Sequence, residues 1–146
     1  MPKNPLRPAH GIALTLALAS PAFGEITISD AYARSASPMA KSGAVFLVLH
    51  NSGPGDDRLI GAASDAATRV ELHSHVDQGN GVMQMRHAED GFAIAAGATH
   101  ALQRGGDHGM FMGLTGPWKQ GDTIALTLTF EDASEISLDI PVDLTR

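Results

Sequence analysis

Beyond residue 24 the apolar positions of this chain recur at every second residue. Ile124, Leu126, Leu128 and Phe130 alternate with Ala125, Thr127 and Thr129, and Ile136, Leu138, Ile140 and Val142 alternate with Ser137, Asp139 and Pro141. Residues two apart on a strand share a face, so each run predicts a half-buried strand. The polar stretch 131–135 between the two runs predicts an antiparallel hairpin. Proline brings no amide proton to a ladder, so Pro141 places the last strand at a sheet edge or ends it. Shorter runs predict strands over 26–33, 44–51, 58–62, 69–75, 82–87, 99–103 and 109–114. Helical signal is weak: 62–68 has room for a turn or two, and the alanine-rich 93–98 carries Gly97. Many short strands with closely spaced turns predict a single all-β domain, a sandwich or a barrel.

The first 24 residues follow a different pattern. Lys3 and Arg7 precede the apolar run 11–19, and the small residues Ala22 and Gly24 follow it. A basic start, a short apolar stretch and small residues two apart predict a cleavable export signal over 1–24, leaving a mature domain over 25–146. Pro8 and Pro21 bracket the run and argue against a long buried helix. The run is also shorter than the about 20 apolar residues that span a bilayer, and nothing later in the chain resembles a membrane span.

Composition then narrows the chemistry. The 146 residues include no cysteine, which excludes disulfide scaffolds, thiolate zinc sites, CxxC redox sites, blue-copper centres and a lipid-modified cysteine. The net charge of −6 becomes about −8 without the first 24 residues, which hold two of the basic residues and no acid. Such a balance leaves no basic footprint for nucleic acid or for an anionic membrane surface.

Histidine and methionine are where the chain is unusual. Four of the five methionines after Gly24 fall within 83–112, together with His87, His100 and His108, and His73 and His75 stand just before. Strand periodicity puts His108, Met110 and Met112 on one face and Met83 and Met85 on one face. Val70 and Leu72 form the natural core side of their strand, which turns Glu71, His73 and His75 the other way. Met in a strand is commonly core filling, and a lone His is commonly solvated. Imidazole and thioether together, in an exported chain without thiols, form a set matched to soft Cu(I). Neutral donors add no negative charge and so disfavour the doubly charged Cu(II).

The motifs resemble those of the periplasmic copper chaperones of the PCu(A)C type. The resemblance rests on Glu71-Leu72-His73, on Asn80-Gly81-Val82-Met83-Gln84-Met85-Arg86, and on the run from Gly105-Gly106-Asp107-His108 to Met110-Phe111-Met112-Gly113-Leu114. Asp30-Ala31-Tyr32-Ala33-Arg34, and Gly121-Asp122 before the strand 126–130, extend it over nearly all of 26–142. Arg104 departs from the pattern, standing where the family usually has proline, as does Trp118, where leucine is common. The resemblance implies a cupredoxin-like antiparallel β-sandwich and a Cu(I) site made by His73, Met85, His108 and Met110. It also implies a non-enzymatic role: carrying copper in the periplasm to the dinuclear copper centre of the cytochrome c oxidase copper subunit, alongside a Sco-type copper protein.

Further expectations follow from that reading. The site lies near the surface at one end of the sandwich, with the methionines and Phe111, Trp118 or neighbouring apolar groups as a docking patch. Met85 is preferred to Met83 by motif alone, because alternation turns both the same way. His75, His87 and His100 are secondary, solvated or bonded to carboxylates such as Asp77 or Glu89, and His50 is structural. No metal site is expected at the C-terminal Leu144-Thr145-Arg146, and the protein is expected to be a monomer or weak dimer. Two readings compete: an all-imidazole Cu(II) redox enzyme built from His73, His75, His87 and His108, and an exported interaction module without metal.

Overall fold

The computed structural model describes residues 25–132 and 134–146, so the export signal predicted over 1–24 lies outside the described residues. Ten strands follow in order: β1 (Ile26–Ser35), β2 (Ser42–Asn51), β3 (Asp57–Ala63), β4 (Ala67–Asp77), β5 (Met83–His87), β6 (Phe92–Ile94), β7 (Thr99–Leu102), β8 (His108–Leu114), β9 (Thr123–Phe130) and β10 (Glu135–Pro141). They form two antiparallel sheets. The larger runs β1-β2-β8-β4-β5 with β7 also paired to β2, and the smaller runs β10-β9-β3-β6. Among the described residues no helix is long and apolar enough to cross a membrane.

Alternation explains the packing. Leu47, Leu49, Leu72 and Phe111 from the larger sheet meet Leu59, Ile94, Leu126, Leu128, Phe130 and Ile140 from the smaller in one core. Each such side chain, fully buried, contributes roughly 1.5–3 kcal/mol relative to an exposed one. The predicted hairpin is β9–β10, registered from Glu135 opposite Thr129 to Pro141 opposite Thr123. Pro141 does both things expected of it: β10 is an edge strand and ends there.

Two segments with weak helical signal are not helices. Residues 64–66 make a tight turn, in which the Ala66 amide donates to Ser64 Oγ at 3.1 Å, and the chain crosses from the smaller sheet to the larger. Within 93–98 the first residues belong to β6, where Phe92 and Ile94 are buried on either side of exposed Ala93. Asn51 secures the neighbouring loop from inside: its Nδ2 donates to the Gly55 and Ile94 carbonyls, and its Oδ1 accepts from the Gly53 amide.

The expected roles of Phe111 and Trp118 in docking are corrected. Phe111 is fully buried, and Trp118 packs edge-on against it at 5.1 Å. Trp118 lies where any side chain at Gly43 would stand, so the large ring takes up volume that glycine leaves open.

With Val45, Leu72, Gly109 and Phe111 turned toward the core, Ala44, Phe46, His73, His75, His108 and Met110 share the opposite face of the larger sheet. The histidine and methionine cluster is therefore on the outer face of the larger sheet, where β8 begins.

Candidate metal centre

Three adjacent strands assemble the cluster. Across β4 and β8, His73 stands opposite His108 and Glu71 opposite Met110; across β4 and β5, His75 stands opposite Met85 and His73 opposite His87. Directly opposed residues on one face are in side-chain contact range, so register alone brings these groups together. The His108 ring lies 5.4 Å from that of His75, 5.8 Å from that of His73 and 6.2 Å from that of Phe46. A cavity of about 190 Å³ opens among them, lined by His75, Met85, His108 and Met110. Ala44 and Phe46 give it an apolar wall, and Arg104-Gly105 form its lip.

Of the four residues that the motif singled out, Met85, His108 and Met110 line this cavity. His73 stands beside His108 and does not line it. Met83, opposite Asp77, is one pair further along β5 and is also off the cavity, so geometry favours Met85 of the two. Met112 is engaged elsewhere, where its Sδ accepts from Arg69 Nε at 3.4 Å.

The turn 103–107 fixes the rings. It is closed by Gln103 N–H to the Asp107 carbonyl and Gly106 N–H to the Gln103 carbonyl, both at 2.9 Å, with Gly105 in the left-handed region at φ 79°. His100 Nε2 holds Asp107 at 3.0 Å and stacks on Phe92. The turn thereby presents the Gly106 carbonyl to two imidazoles, His108 Nδ1 at 2.9 Å and His75 Nδ1 at 3.0 Å. A carbonyl only accepts, so both rings donate from Nδ1 and, when neutral, keep Nε2 as a free lone pair.

His73 is set by the opposite nitrogen. Its Nε2 donates to Glu71 Oε2 at 2.9 Å, which leaves Nδ1 as the lone pair of the neutral ring. That Nδ1 is buried and has no hydrogen-bond partner. An orphaned buried acceptor is costly unless something binds it, and a soft cation is such a partner. The His73 hydrogen bond, with Arg69 and His87 adding, holds Glu71 below the ordinary carboxylate range despite its burial. Burial pushes the His108 imidazole below its ordinary range, with His75 and His73 adding to this and the Gly106 carbonyl and Asp107 opposing it. His108 thus offers a neutral ring near neutral pH.

The other histidines divide. His75 bonds to a main-chain carbonyl, not to a carboxylate such as Asp77 or Glu89, whereas His100 does bond to a local carboxylate, Asp107. His87 faces His73 at 6.0 Å between ring centres. His50 is structural as expected, tying β1 and β7 to β2 through Ser29 at 2.9 Å and Thr99 at 3.1 Å. Sequence reasoning held His75 only as a secondary candidate, or as one ligand of the competing all-imidazole centre. Its place opposite Met85 was the signal that could have found it, and only the register reveals that place.

Comparison with known proteins gives a consistent picture. The family described as Putative lipoprotein LpqE-like matches residues 26–142. Putative lipoprotein Lxx21020 of Leifsonia xyli subsp. xyli is 41% identical over 99 residues, covering 68% of this chain. The match spans 59% of that protein's length. Among solved structures, CuI-DR1885 from Deinococcus radiodurans is 30% identical, with 79% of this chain and 76% of that chain covered and a TM-score of 0.64. The copper-bound PCuAC domain from PmoF2 is 22% identical, with 83% of this chain and 94% of that chain covered and a TM-score of 0.67, a likeness of fold. The sandwich is cupredoxin-like, as these structures are.

Proposed function

The chain belongs to the LpqE-like family, which is of the PCu(A)C type, and on that premise we propose that it is an exported copper chaperone that carries Cu(I) to another copper protein. The observation that carries this reading is the convergence of two thioethers with imidazoles at one cavity open to the surface. Thioether sulfur selects Cu(I), and neutral imidazole completes a site without charge. The proposed ligands are His73, Met85, His108 and Met110. Met110 and half-exposed Met85 are at the solvent side, which suits hand-over: a partner's donor can bind the ion before these weak bonds release it. Exposed Val82 and Met83 beside Met85 supply the apolar surface on which a partner can rest.

Export by a signal over 1–24 and residence in the periplasm are part of the same proposal, supported by the lipoprotein names of the relatives. The recipient we propose is the dinuclear copper centre of cytochrome c oxidase, with a Sco-type protein as companion. No acid–base pair or nucleophile is needed for carriage, so the proposed role is not catalytic. The all-imidazole Cu(II) centre is the weaker reading: of its four histidines only His75 and His108 line the cavity, and Met85 and Met110 line it with them instead of packing in the core.

The test is Cu(I) competition against a calibrated chelator, joined to X-ray absorption on the loaded protein. Sulfur scattering near about 2.3 Å is the expected signature of thioether ligation. His73→Ala and Met110→Ala are expected to fold and to lose affinity roughly tenfold or more, which is about 1.4 kcal/mol or more. Wild-type affinity in both variants would overturn the ligand set, and absence of sulfur scattering would overturn the thioether site.

A further inference from the structure

We infer that His75 is a copper ligand of this site and the imidazole that an incoming ion meets first, an assignment that rests on the copper reading and goes beyond its four donors. His75 stands directly opposite Met85 in the β4–β5 ladder and lines the cavity together with Met85, His108 and Met110. Its Nδ1 is engaged by the Gly106 carbonyl at 3.0 Å, which commits Nε2 as its free lone pair. The same carbonyl holds His108 in the same tautomer, and the two rings are 5.4 Å apart. A main-chain carbonyl on the non-ligating nitrogen is the usual way a metal-binding imidazole is oriented.

His73 is arranged otherwise. Its free nitrogen is Nδ1, which is buried without solvent contact, and the ring is not part of the cavity wall. An ion arriving from solvent therefore meets two imidazoles, His75 and His108, and two thioethers, Met85 and Met110, before it can reach His73. Two nitrogen and two sulfur donors already make a full tetrahedral set for Cu(I). His73 then acts as the inner donor, exchanging with a cavity ligand once the ion is seated.

The experiment pairs wild type with His75→Gln, which can still donate to the Gly106 carbonyl but has no ring nitrogen. Cu(I) is supplied alone, anaerobically, from a calibrated chelator. We expect His75→Gln to lose affinity by roughly tenfold or more, as even groups that merely orient ligands are worth 10- to 100-fold. Its uptake should be slower in stopped flow, whereas His73→Ala should weaken retention more than it slows uptake. In wild type, the His75 Nε2 nitrogen resonance should move on loading. An unmoved His75 Nε2 signal at saturation, with wild-type affinity in His75→Gln, would overturn the assignment while leaving the copper reading intact. Failure of wild type itself to take Cu(I) would overturn both.

Discussion

At the scale of single residues, what makes this cluster a binding site is the direction in which each ring donates its proton. Glu71 accepts the hydrogen bond from His73 Nε2–H and, kept ionised, is a strong acceptor that fixes the tautomer with Nδ1 bare. Replacing it tests that role without touching a proposed ligand. Glu71→Leu, which has no acceptor, is expected to leave the fold intact and to lower Cu(I) affinity roughly 10- to 100-fold, the usual cost of losing the partner that orients a ligating histidine. Chelator competition reads the affinity, and histidine nitrogen spectra read the tautomer. Wild-type values in both would show that His73 needs no such orientation.

At the scale of elements, β8 carries the burden, with His108 and Met110 on one side and Gly109 and Phe111 on the other. Gly109 is pressed against the core: a Cβ there would stand 2.5 Å from Val45 Cγ1. Gly109→Ala is accordingly expected to destabilise the protein by about 1–3 kcal/mol through overpacking, read as a lower midpoint of denaturant unfolding. An unchanged midpoint would mean that β2 and β8 can separate without cost. The element pattern was legible in the sequence wherever alternation ran for several residues, as in 124–130 and 136–140. β6 escaped because three residues are too few to show a period and Ala93-Ala95-Ala96 reads as helix-compatible. Grouping His108 with Met110, and His73 with His75, needed only the two-residue repeat. Placing Met85 rather than Met83 at the cavity, and bringing His75 into it, needed the β4–β5 register, a property of two strands that neither one encodes alone.

At the scale of the whole molecule, the chain's C-terminal residue is fastened to its first strand. Arg146 pairs with both carboxylate oxygens of Asp30 and lies over the Tyr32 ring at 4.1 Å. The Arg146 hydrogen bond, aided by its charge, holds Asp30 below its ordinary value. A depressed carboxylate stabilises the fold at pH above its unfolded value, and that contribution disappears as pH falls through the folded one. Arg146→Ala should return Asp30 to the ordinary carboxylate range in an NMR titration and flatten the stability profile there; a titration identical to wild type would show the clasp to be idle. The turn 103–107 has a different consequence. The atom that aims His75 and His108 belongs to the main chain, so no side-chain substitution can delete it. Replacing a side chain of this turn, Arg104 for one, leaves that acceptor in place so long as the backbone traces the same path.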